Sequence, residues 1–337
     1  TVDINGLNSL NDLINQVLRH PSVCSKRFLT NKVDRSVGGL IAQQQCVGPL
    51  HTPLADVAVV AHSFFTLEGA ATAIGERPII GISNPAAMAR MAVAEMLTNM
   101  MWVKTDGLNK IKCSGNWMWA AAKAYEKSRM VLAARALSDI MCQLGLAIDG
   151  GKDSLSMSTT TTSGLVVDAP PQLVITGYVS VVDVTKKVTP DLKGSGNSLL
   201  WISLNSSHFR IGGSILTQVL NAASGVRGFI PNEYPDINDV DILRNLFESI
   251  QEAIEKNHIL SGHDISDGGL ITCLLEMAFA GNKGIVGNFD GLSALHTLFA
   301  EEAGVIIEVS TRSLDFLLDF FNSRNLSCKY IGYVTDM

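Results

Sequence analysis

The chain has 337 residues, of which 47% are hydrophobic and 17% charged, enough apolar sequence for two packed domains and too much for a disordered chain. A formal net charge of −6 and the lack of any basic run argue against a nucleic-acid or anionic-membrane surface, while leaving room for a local phosphate pocket. No apolar stretch approaches the roughly 18 residues that a membrane-spanning helix needs.

The first residues lack the charged-then-apolar layout of a signal peptide. The chain starts at Thr1 without Met, as expected of a piece of a longer polypeptide. Six cysteines (Cys24, Cys46, Cys113, Cys142, Cys273 and Cys328) are scattered with no CxxC pair. That usage predicts reduced thiols in a cytoplasmic protein, not a disulfide frame or a zinc site.

Between Leu7 and Leu18, the residues Leu10, Leu13, Ile14, Val17 and Leu18 share one helical face, and Pro21 ends the helix. Ser36 to Ile41 and Ala55 to His62 read as short β-type runs. Residues 85 to 102 predict a long helix with Pro in its first turn. Ile111 to Cys113 predicts a short strand, 119 to 145 an Ala- and Met-rich helix, and Gln172 to Val182 a strand. Asp183 to Asn197 is charged and carries Pro190 and two glycines, so the domain joint is expected there. Beyond it come a strand at 198–204, helices at 212–222, 238–257 and 268–280, a strand at 303–309, a helix at 314–325 and a strand at 328–334. This mixture predicts α+β layers, not a doubly wound sheet.

No GxxxxGK[ST] occurs, and no GxGxxG opens a helix after a strand. Gly150 to Ser154 (GGKDS) resembles a Walker fragment whose upstream glycine is wrongly spaced. Lys152 could be aimed at a phosphate from a mobile glycine turn, or could simply be an exposed turn lysine. Glu95 and Asn99 are four apart on the predicted helix and so share a face. With a third oxygen donor from elsewhere they would suit Mg²⁺, although a solvated helix surface explains them as simply. In His263 to Gly269 (HDISDGG), Asp264 and Asp267 form a second acidic cluster before two glycines. It could start a helix with free N–H groups facing a phosphate, or be an ordinary start capped by Ser266 or Asp267. His51, His62 and His263 have no partner at a recognisable spacing and are expected to be structural, and Trp117 and Trp119 to pack in the core.

Seven strings, in order, resemble the long, single-chain formylglycinamidine ribonucleotide synthases: PLADVAVV, AIGERPIIGI, AVAEMLTN, GNWMWAA, AIDGGKDSLSMS, GHDISDGGL and LFAEEAGVIIEV. GKDSLSMS separates the chain from aminoimidazole ribonucleotide (AIR) synthetase and selenophosphate synthetase, which share the fold. The resemblance implies one AIR-synthetase-like unit, the second of two tandem copies. Residues 1–24 would be a lead-in helix and linker, 25–190 the N-terminal domain and 191–337 the C-terminal domain. It implies an auxiliary ADP with Mg²⁺ held by Asp56, Glu95, Asn99 and Asp264, with Lys26, Ala55 (through its backbone) and Ser266 on the nucleotide. Gly151, Lys152, Asp153 and Ser154 resemble a loop that reaches toward substrate and the active ATP.

The implied whole enzyme converts formylglycinamide ribonucleotide (FGAR), ATP and glutamine-derived ammonia to the amidine (FGAM). Its partners would be the first synthetase half, which holds most catalytic groups, and a separate glutaminase domain; this half alone is expected to be inactive. Ser83 and Asn84 stand where such sequences more often carry an apolar residue and Asp. Two alternatives stay open: a scaffold half that has lost its nucleotide, and a stand-alone homodimeric ATP-dependent enzyme. An isolated half could also homodimerise through the face meant for its twin.

Overall fold

A computed structural model describes residues 9–32, 38–205, 208–224, 233–289 and 294–337. Leu7 in the first predicted helix, and Ser36 and Val37 in the first predicted β run, lie outside the described residues.

The N-terminal part runs α1 (Leu10–Arg19), α2 (Arg27–Lys32), β1 (Ile41–Gln43), β2 (Cys46–Val47), β3 (Thr52–Pro53), β4 (Ala58–Ala61), β5 (Gly69–Glu76), α3 (Pro78–Ser83), α4 (Pro85–Met100), β6 (Lys112–Met118), α5 (Ala124–Leu144), β7 (Ala147–Ser154), β8 (Ser158–Thr160), β9 (Val166–Asp168) and β10 (Gln172–Val181). The C-terminal part runs β11 (Ser198–Ser203), α6 (Ile215–Ser224), α7 (Val240–Glu255), β12 (Ser261–Asp264), α8 (Gly269–Gly281), β13 (Gly284–Gly287), α9 (Ala294–Phe299), β14 (Gly304–Val309), α10 (Leu314–Asn322) and β15 (Ser327–Thr335).

Two large sheets result, in the orders β1-β4-β5-β10-β6-β7 and β12-β14-β11-β15-β13, beside the two-stranded pairs β2-β3 and β8-β9. Every neighbour pair is antiparallel except β6 with β7. Largely antiparallel sheets with helices on a face are the α+β layering that the sequence predicts.

In the first sheet β5 alternates, turning Ala71 and Ala73 to the core and Thr72 and Ile74 to the open side. The covered face packs on α4, a helix that is apolar nearly all round and therefore buried. Gly75 permits this contact: a Cβ there would come within 2.1 Å of Ala92 O and 2.3 Å of Met96 N. The open face carries Val60, Ile74 and Tyr178, all exposed.

The second sheet is covered on both faces. Leu200, Ile202, Val305 and Ile307 join the core that also contains α4, α7 and α10. Leu199, Trp201 and Ile306 face α8 instead. The segment between β10 and β11 holds no helix or strand, yet Val184, Val188 and Leu192 in it are buried. No described helix is long and apolar enough to cross a membrane.

Several elements differ from the sequence expectation. The predicted helix 119–145 starts only at Ala124, because β6 continues to Met118 and the Trp119 N–H bonds Ser154 O at 2.8 Å. Strands β5, β7, β12 and β13 carry glycines or polar residues that hide the apolar signal of a strand. The GGKDS segment is not a turn: it is the edge strand β7, paired in parallel with β6. Gly151 belongs there because a Cβ would lie 2.6 Å from Gly115 O on the neighbouring strand. Trp119 is buried as expected, whereas Trp117 is only partly so.

Candidate functional site

Several pieces of chain meet at one cleft of about 520 Å³ between the open face of the first sheet, at β4 and β5, and the start of α8. The turn after β3 supplies Ala55 and Asp56, and β5 supplies Ile74 and Glu76. Helix α4 presents Glu95 and Asn99, and the end of β12 brings His263, Ser266 and Asp267.

The helical spacing of Glu95 and Asn99 does place both on the cleft. Asn99 donates Nδ2–H to Ile74 O at 2.9 Å, which leaves Oδ1 as its possible ligand atom. Glu95 Oε2 accepts from the Glu76 N–H at 2.6 Å, and Oε1 from the Ser266 hydroxyl at 2.5 Å. Arg77, only 4% exposed, stands 3.4 Å from Glu95 Oε1.

Asp56, His263 and Asp264 form the one cluster of metal-type donors among the described residues, with their ligand atoms within 4.8 Å of one another. His263 Nδ1 is 2.8 Å from Asp56 Oδ1 and 3.4 Å from Asp264 Oδ1, and Nε2 is 3.3 Å from Glu276 Oε2. The Asp56 approach is close enough for charge pairing, although Nδ1 is out of line for a hydrogen bond. Asp56 Oδ2 and Asp264 Oδ2 are buried with no hydrogen-bond partner.

Burial pushes the Asp56 carboxyl up, against the pull of His263. It pushes Asp264 well above the ordinary carboxylate range, and the neighbouring Asp56 charge adds to this. Glu95 is also raised by burial, with Arg77 opposing. For His263 burial acts downward and is the largest single influence, but the Asp56 charge together with the Cys273 and Glu276 contacts outweighs it and holds the imidazole well above its ordinary value. Two buried, unsatisfied carboxylate oxygens in an acidic pocket fit a hard divalent cation, which would replace their missing partners.

The remaining predicted residues divide. Ser266 and Ala55 line the cleft, and the Ala55 N–H already bonds Gln45 O at 3.0 Å. Lys26 lines an adjoining cleft of about 370 Å³, and its ammonium bonds its own loop through Pro21 O, Ser22 O and Cys24 O. Gly151, Lys152 and Asp153 are exposed and Ser154 half-buried on β7, away from this cleft. The expected Asp or Ser cap on α8 is absent, for its N-cap is Gly268 with no side-chain bond. Glu301 supplies the acceptor, taking the Gly268 and Ile215 N–H groups on Oε1 at 2.8 Å each, while Asp267 turns to Arg77.

His263, expected to be structural, is therefore in the site, as are Arg77, Glu276 and Glu301 around it. Of these only His263, beside Asp264, had a sequence signal. Asn84, at the unusual SN pair, caps α4 by accepting the Ala87 N–H at 3.0 Å, so Asn does what Asp would do there.

The fold is shared with solved structures. Thermotoga maritima PurL complexed with FGAR aligns over 98% of this chain and 50% of its own, with a TM-score of 0.70 and 11% identity. Thiamine-monophosphate kinase from Stenotrophomonas maltophilia aligns over 96% and 93%, with a TM-score of 0.52 and 13% identity. Residues 25–180 match the FGAR-AT PurM_N-like domain, and residues 194–337 match the C-terminal domain of AIR synthase related proteins. The chain is thus a two-domain protein of the AIR-synthase-related class.

A protein of Arabidopsis thaliana named probable phosphoribosylformylglycinamidine synthase, chloroplastic/mitochondrial, is 52% identical over 97% of this chain. The Homo sapiens phosphoribosylformylglycinamidine synthase is 47% identical over 96% of it. The chain belongs to the phosphoribosylformylglycinamidine synthase family. It spans about a quarter of the length of these relatives, 23% and 24%.

Proposed function

We propose that this chain is the second half of the synthetase region of an ATP-dependent ligase that makes FGAM from FGAR, and that its cleft holds an auxiliary Mg²⁺–ADP. The observation that carries the reading is the pair of buried, unpaired oxygens, Asp56 Oδ2 and Asp264 Oδ2, at a cleft that also holds Glu95 and Asn99. These four residues would hold the metal, and Lys26, Ala55 and Ser266 the nucleotide. Mg²⁺, when bound, supplies charge neutralisation for phosphate oxygens. The chain's own part is to dehydrate the site, fix the carboxylates and exclude water. Lys26 would first have to leave its loop carbonyls.

In the complete enzyme the FGAR amide oxygen attacks the γ-phosphorus of ATP, releasing ADP. Ammonia, from glutamine hydrolysed in a separate domain, then adds at that carbon, and phosphate leaves to give the amidine. The first synthetase half would supply most groups for these steps. The open face of the first sheet, with exposed Val60, Ile74 and Tyr178, is the surface offered to that half. Residues 151–154, on the edge of the same sheet, would form part of the substrate wall. The isolated chain would be inactive and could homodimerise through this face. A cytoplasmic location is supported only by the six free cysteines.

One observation favours the scaffold alternative: Glu95 already has protein partners on both oxygens. Nucleotide content after acid release decides between them. About one ADP per wild-type chain, lost in Glu95→Ala, is expected, and Mg²⁺–ADP at about 100 times its Kd should stabilise the fold by about 2.7 kcal/mol. A wild-type chain that is empty and takes up no Mg²⁺–ADP would leave the scaffold reading.

A further inference from the structure

Arg77 follows the last residue of β5 and is buried between the two domains. Its guanidinium has four polar neighbours from three places in the chain. Nη1 reaches Asp267 Oδ1 at 3.1 Å and Glu301 Oε2 at 3.4 Å. Nη2 reaches Ser266 Oγ at 3.2 Å and Glu95 Oε1 at 3.4 Å. Three carboxylates thus converge on one buried cation, and three of the neighbours, Glu95, Ser266 and Asp267, line the cleft.

The geometry points to Arg77 as the positioning residue of this cleft. It fixes Glu95 on α4 against the Ser266–Gly269 turn of the other domain, and so sets the distance between the metal-ligand and nucleotide-contact walls. This role rests on the proposed nucleotide reading for its purpose, but not for its geometry. Two backbone amides report it directly. The Glu76 N–H bonds Glu95 Oε2 at 2.6 Å, and the Gly268 N–H bonds Glu301 Oε1 at 2.8 Å. Both accepting carboxylates are held by the guanidinium. A planar fork can bridge four acceptors at once, whereas an ammonium keeps the charge but not the span.

Hydrogen exchange of the ligand-free chain and Mg²⁺–ADP titration, for wild type, Arg77→Lys and Arg77→Met, test this. Arg77→Lys should speed exchange at Glu76 and Gly268 selectively, and weaken Mg²⁺–ADP binding by about 10–100-fold, as loss of a residue orienting metal ligands does. Its unfolding midpoint should stay within about 4 °C of wild type, while Arg77→Met, which leaves the carboxylates uncompensated, falls further. Unchanged exchange at the two amides in Arg77→Lys overturns the inference. So does faster exchange spread evenly over the chain, which would mean a general stabilising role. If the wild type binds no Mg²⁺–ADP, the nucleotide reading fails, and the exchange result still decides the role of Arg77.

Discussion

His263 Nδ1 lies 2.8 Å from Asp56 Oδ1, a buried contact that joins a strand of the second domain to a turn of the first. The imidazole is the nearest positive group for two buried aspartates. His263→Ala leaves Asp56 and Asp264 facing each other, and should cost about 3–5 kcal/mol in metal-free urea unfolding, the range for breaking a buried ion pair. Added Mg²⁺ should recover more stability in this variant than in wild type. Equal recovery in the two proteins would count against a cation site at these oxygens.

Glu301 gives a pH dependence with a defined sign. Burial, followed by the Asp267 charge, pushes its carboxyl up to about 8 from an ordinary 4.5, against Arg77 and two amides. Between those values the folded state holds a proton that the unfolded state has lost. Stability from this group is therefore present at low pH and declines as pH rises from 4.5 through about 8. Glu301→Gln should flatten the unfolding free energy across that window; an unchanged slope would show that Glu301 does not titrate there.

Gly75→Ala places a methyl against the backbone of α4, 2.1 Å from Ala92 O, where no side chain can rotate away. Overpacking of this kind should cost about 1–3 kcal/mol or more. Because Glu95 and Asn99 ride on α4, the variant should also weaken Mg²⁺–ADP binding. Wild-type stability in denaturant would contradict the close packing of β5 on α4.

Asn84 is a test of local chemistry alone. Asn84→Ala removes the α4 cap and should cost about 1 kcal/mol, whereas Asn84→Asp should be near neutral. A loss in Asn84→Asp as large as in Asn84→Ala would show that the side-chain oxygen is not what matters.

Legibility along the chain follows the strength of local pattern. Helix α4 was readable because Pro85 starts a long apolar segment, and Glu95 and Asn99 were readable as a pair because four residues is about one turn. Strand β5, with the sequence GAATAIGE, was not readable, since alternating small residues carry little hydrophobic contrast. Strand β7 reads as a turn in the sequence because two adjacent glycines signal a turn far more often than the close approach of a neighbouring strand.

By itself the sequence determined the α+β class, the family through seven ordered strings, and the face shared by Glu95 and Asn99. Only the tertiary structure decided that Asp56 and Asp264 meet around His263, that Arg77 joins Glu95 to Ser266, and that Glu301 replaces a local cap on α8. The physical reason is range: periodicity and capping act within a few residues and are written locally. The meeting of distant carboxylates depends instead on how closely β5 and β12 are drawn to α4 and α8 by burial, which no local pattern records.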